Sequence, residues 1–150
     1  MTPEEGRILS QFPNLKQEAL RITSPKAYYN CFAWAANDNT QCWGTDSANG
    51  DYWPTGVPKA YTVDAFLAAF STLGFVRCSS GEQEKGVEKL AIYLGQTGEP
   101  EHMARQLPSG WWTSKIGWAL EDIEHETLKA LECDDYGTVQ VFLSRQIPTD

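Results

Sequence analysis

Histidine, positive charge and long apolar runs are all scarce in this chain, and each shortage removes a class of function. Its 150 residues hold two histidines, His102 and His125, and twelve Lys and Arg against twenty Asp and Glu, a net charge of −8. The cations are scattered, so no basic stripe exists to neutralise phosphates, and nucleic acid is excluded as a partner. No apolar run reaches the roughly 20 residues of a membrane helix, so no membrane partnership is expected. The four cysteines, Cys31, Cys42, Cys78 and Cys133, make no CxxC pair and no Cys/His spacing of a zinc site. Neither a metal nor another cofactor is therefore expected. Residues 1–7 are polar and acidic and lack a secretory apolar core. The expected compartment is the cytoplasm, with reduced thiols, short of export by a route that leaves no signal.

What is present describes one globular domain. Six tryptophans and a hydrophobic share of 41% give 150 residues enough apolar surface for a single core. Residues 1–24 read as an N-terminal arm with helical character: Pro3, Glu4 and Glu5 suit a first turn, and Ile8, Leu9 and Phe12 supply an apolar side. A short helix begins close to Cys31, since residues 26–30 read as loop and Phe32, Ala33, Trp34, Ala35 and Ala36 are apolar or helix-forming. Residues 41–59 form a long polar loop that carries Trp43, Tyr52 and Trp53. Those aromatics either wall a cleft, which makes Trp43 and Trp53 substrate-binding candidates, or plug the edge of the core. The clearest helix is residues 62–73, capped by Thr62, striped by Phe66, Leu67, Phe70 and Leu73, and closed by Gly74. Strands are expected at 75–78, 89–94, 102–107, 111–116 and 138–143, and a helix over 121–131.

A cysteine at the mouth of a helix is chemically suggestive. Unpaired N–H groups of a first turn favour a thiolate, although a buried structural cysteine fits the same apolar stretch. A nucleophilic cysteine also needs a base, and His102 starts a strand about 70 residues on. This order resembles the papain-like superfamily in its compact NlpC/P60 and CHAP form, where a cysteine opens a helix, a histidine begins a strand and a polar group on the next strand orients the imidazole. Asn30-Cys31-Phe32-Ala33-Trp34-Ala35, Trp53-Pro54, His102-Met103-Ala104-Arg105-Gln106, Trp112-Thr113-Ser114-Lys115-Ile116-Gly117 and Asp122-Ile123-Glu124-His125 also resemble a family of small uncharacterised bacterial proteins over residues 25–146. The resemblance implies an α+β papain-like core, with N-terminal helices packed on a four- to five-stranded antiparallel sheet. It also implies a cysteine hydrolase or acyltransferase acting on a peptide or protein.

Under that reading Cys31 attacks, His102 takes its proton, and Ser114 steers the imidazole. If residues 108–110 make a three-residue hairpin loop, Ser114 shares the face of His102; a two- or four-residue loop brings Thr113 or Lys115 there instead. Gln106 also lies on the His102 face, by alternation. Tyr28, Tyr29 or Asn30 could complete an oxyanion hole with the Cys31 N–H, and Asn30 equally suits a helix cap. Arg105 and Lys115 are candidates for a substrate carboxylate. His125 reads as a surface or capping residue. The competing expectation is a non-enzymatic binding or immunity-type module, whose acidity suits a basic partner and whose tryptophans suit an interface.

Overall fold

A computed structural model describes residues 2–24, 29–38, 40–46, 48, 50–116 and 122–147. Seven antiparallel strands make one sheet: β1 (Leu20–Ser24), β2 (Val76–Cys78), β3 (Val87–Leu94), β4 (Pro100–Gln106), β5 (Trp112–Lys115), β6 (Asp122–His125) and β7 (Thr138–Gln146), in the order β1-β6-β5-β4-β3-β7-β2. Among the described residues three short α-helices accompany it: α1 (Pro3–Gln11), α2 (Cys31–Ala35) and α3 (Val63–Ser71). Strand β3 lies between β4 and β7 because Leu90, Ala91, Ile92, Tyr93 and Leu94 are apolar on both sides, so both of its faces can be buried. None of the helices among the described residues is long and apolar enough to cross a membrane.

The expected papain-like arrangement is overturned by this sheet. Helices of nine, five and nine residues pack on seven strands, not on four or five. The two added strands come from stretches read otherwise. Residues 20–24 belong to the expected arm, but Leu20 and Ile22 alternate and pair with His125 and Ile123 of β6. Residues 122–125 belong to the expected helix over 121–131, where Ile123, Leu128 and Leu131 fall at helical spacing. Their local alternation wins because β6 gains hydrogen-bonded partners on both edges, β1 and β5. Among the described residues of that stretch only Lys129–Leu131 are helical, as one 3-10 turn.

Alternation along the strands sorts the apolar residues into two cores. One face of the sheet, here the helix face, packs Leu90, Ile92, Met103, Val141 and Leu143 against α2, α3, Trp43 and Trp53. The opposite face, the arm face, packs Ala91, Tyr93, Ala104, Trp112 and Ile123 against Ile8, Phe12, Leu131 and Tyr136. Helix α3 follows its sequence signals closely: Thr62 accepts from the Ala65 N–H, Phe66 and Phe70 are fully buried, and Gly74 ends the turn at φ +94.

Candidate functional site

The β4–β5 hairpin decides which candidate residues meet. Leu107 N–H bonds the Trp111 carbonyl, Gln106 pairs with Trp112, and Gly110 takes φ +93, so the loop is the three-residue one, 108–110. Ser114 accordingly falls on the face of His102, and the two side chains meet at 3.0 Å. Strand β4 presents His102 and Ala104 to the arm face and Met103 and Arg105 to the helix face. Helix α2 packs on the helix face, with Cys31 in the core that contains Met103. The cysteine sulfur and the His102 imidazole thus lie on opposite sides of β4 and are not brought together. Nor is the thiol activated: burial pushes it up to about 12, outweighing the Met103, Cys31 and Phe32 backbone N–H groups that favour the thiolate. First-turn N–H groups act locally and are legible in the sequence, whereas the desolvation that overrides them comes only from tertiary packing.

His102 instead belongs to a buried chain of hydrogen bonds. Ser114 Oγ lies 3.0 Å from His102 Nε2 and 2.8 Å from His125 Nε2, and His125 Nδ1 lies 2.9 Å from the Thr127 carbonyl. A carbonyl only accepts, so His125 carries its proton on Nδ1 and receives the Ser114 hydroxyl proton at Nε2. Ser114 Oγ then accepts from His102 Nε2–H, which leaves His102 Nδ1 as a buried acceptor with no hydrogen-bond partner among the described residues. Both rings are neutral. Burial, aided by the neighbouring His125, drives the His102 pKa well below its ordinary value, and burial lowers that of His125 to about 4 despite the Thr127 bond. The His102 ring lies flat on Tyr136, centroids 4.2 Å apart at 3°, and meets the edge of Tyr93. His125, expected at the surface, is fully buried. The missed signal is the alternation Asp122-Ile123-Glu124-His125, which aims Ile123 and His125 at one face.

A second buried polar group occupies the helix face directly behind this chain. Tyr29 Oη donates to Asp122 Oδ2 at 2.6 Å, and Lys115 Nζ lies 3.8 Å from Asp122 Oδ1, with both charged side chains fully buried. Burial and the adjacent carboxylate raise the Tyr29 phenol. Lys115 is therefore structural here and offers no charge to a substrate carboxylate. Thr113 turns away from His102 as well: it accepts from Trp34 Nε1–H at 3.0 Å and donates to the Ile123 carbonyl at 3.1 Å. Beside it, Arg105 donates to Asn37 Oδ1 at 2.6 Å and lies 4.7 Å over the Trp34 ring.

A family model described as a domain of unknown function, DUF7689, matches residues 21–144 of the chain. The chain belongs to the DUF7689 family. No curated protein and no solved structure matches it, and no match connects it to NlpC/P60 or CHAP proteins. The matched span runs from β1 into β7, so the sheet and both buried polar groups lie inside the DUF7689 domain.

The remaining candidates have structural duties in the DUF7689 domain. Asn30 caps α2 by accepting from the Ala33 N–H, and its amide also clamps Trp43 by bonding both the Trp43 N–H and carbonyl. It is not poised as an oxyanion donor. Trp43 and Trp53 are buried against Phe70 and Phe66, so they plug the core and do not wall a cleft. Gln106 donates to the Gly81 carbonyl and so does not orient His102. Tyr28 lies outside the described residues. Among the described residues, no group of three His, Cys, Asp or Glu is arranged to hold a metal ion. Of the substrate-binding candidates only Arg105 borders open space, a cavity of about 660 Å³ at the end of the sheet.

Proposed function

We propose that this domain works by binding a polypeptide partner and not as a thiol hydrolase. The observation that carries this reading is the one-residue alternation on β4, which turns Met103 toward Cys31 and His102 away from it. A base on the far side of a sheet cannot take a proton from the thiol, since hydrogen-bond reach of about 3 Å is required. Further support comes from two arginine–tryptophan stacks. A cross-strand row on the helix face runs Arg21, Glu124, the buried Thr113 and Arg105, and each arginine stacks on a tryptophan, Arg21 on Trp111 at 4.4 Å and Arg105 on Trp34 at 4.7 Å. Trp and Arg dominate interface hot spots, and the net charge of −8 steers in a partner of positive overall charge. The same reading keeps the domain in the cytoplasm, where four cysteines outside any disulfide stay reduced. Thiol labelling at neutral pH tests it. Four sluggish cysteines, Cys31 the slowest, are expected; a fast Cys31 that slows in His102→Ala would overturn the reading in favour of hydrolysis.

A further inference from the structure

The cavity opens where β3 and β4 part. Their pairing stops at Leu90 and Arg105, while β3 runs back to Val87 along β7 and β4 runs on to Gln106 along β5. A volume of about 660 Å³ is in the range of ligand sites. Its walls contain four charged side chains, and they are not equivalent. Both carboxylates are engaged, Glu84 by Lys89 Nζ at 2.5 Å and Glu88 by Arg145 Nε at 2.8 Å. Both cations, Lys85 and Arg105, lack an ion-pair partner among the described residues. An acidic chain thus places two cations without a direct ion pair around one opening, Arg105 feeling the Glu88 and Asp122 carboxylates only at longer range.

Arg105 is also held ready. Its bond to Asn37 and its stacking on Trp34 fix the guanidinium fork, so little side-chain freedom is lost when an anion arrives. A planar fork matches a carboxylate in two parallel hydrogen bonds. The nearby Glu84 and Glu88 charges oppose a phosphate dianion more than a monoanion. The apolar part of the lining is Val87, Leu107, Pro108 and the half-exposed Ile147.

We infer that this cavity binds an apolar carboxylate, the C-terminal end of a polypeptide partner, with Arg105 and Lys85 on the carboxylate and Leu107, Val87 and Ile147 around the last side chain. The inference rests on the binding reading above and names the chemistry of its ligand. Titration of the full ¹⁵N-labelled chain with acetyl-alanyl-leucine tests it, read at the backbone amides of Val87 and Leu107. The free acid should give saturable shifts below about 20 mM, a ceiling set well above a millimolar Kd. The carboxamide, and the acid on Arg105→Gln, should each bind about tenfold more weakly or worse, as loss of a charged hydrogen bond requires. Lys85→Gln, at an exposed position, should weaken the acid by a smaller factor and guards against misfolding of the first variant. Absence of saturation, equal binding of acid and amide, or indifference to both substitutions overturns the carboxylate site. Octanoate binding as tightly as the peptide acid overturns the polypeptide source. A fast-labelling Cys31 would defeat the binding reading without moving any of these shifts, so the two failures are distinguishable.

Discussion

The two faces of β5 carry polar groups of opposite character. On the helix face Lys115 and Asp122 are charged, fully buried, and tolerable only as a pair with Tyr29 closing one carboxylate oxygen. On the arm face His102, Ser114 and His125 are neutral and held by hydrogen bonds passed in one direction toward the Thr127 carbonyl. The difference teaches how this sheet fixes its register. Slipping β5 by one residue would send the Lys115 ammonium among neutral imidazoles and leave Asp122 unpaired, so the wrong pairing is strongly disfavoured. Groups that resemble a catalytic set in the sequence thus serve as a register lock.

Removing one member of the charged pair should break the comparison most severely. Asp122→Ala leaves a buried ammonium without its counter-charge and should destabilise the fold by about 3–5 kcal/mol in urea unfolding. The double variant Lys115→Met/Asp122→Leu should recover most of that loss; no recovery would mean that Asp122 matters chiefly through Tyr29. Acid should act on the other face. In the unfolded chain His125 titrates near 6.5 and in the folded one near 4, so only the unfolded state binds the proton between those values. Stability is therefore full above about pH 6.5 and should fall by about 3 kcal/mol on going to pH 4, with the depressed pKa of His102 adding to the loss. Urea midpoints measured against pH check this, and a slope that persists unchanged in His125→Gln would assign it elsewhere.

Ser114→Ala should cost about 2 kcal/mol, because it strands the His102 Nε2–H and the His125 acceptor together in a dry core. If the loss were instead no larger than at a surface serine, the hydrogen-bond chain would have no energetic role. Away from both faces the effects shrink. Thr62→Ala removes only the α3 cap and should lower stability by about 1 kcal/mol, readable as a small shift in thermal midpoint.

Local signals alone were enough for α3 and for the α2 start at Cys31, and they narrowed the Asn30 cap, the 108–110 loop and the meeting of His102 with Ser114 to a few alternatives. Each of these depends on contacts within a dozen residues, where spacing, capping and turn chemistry act directly. Only the assembled sheet decided that β1 and β6 are strands, that His125 is buried, that Lys115 belongs to Asp122, and that Cys31 sits behind His102. Those outcomes turn on which face of a strand meets which distant segment. A period of two makes both faces equally legible in sequence, and only long-range packing chooses between them.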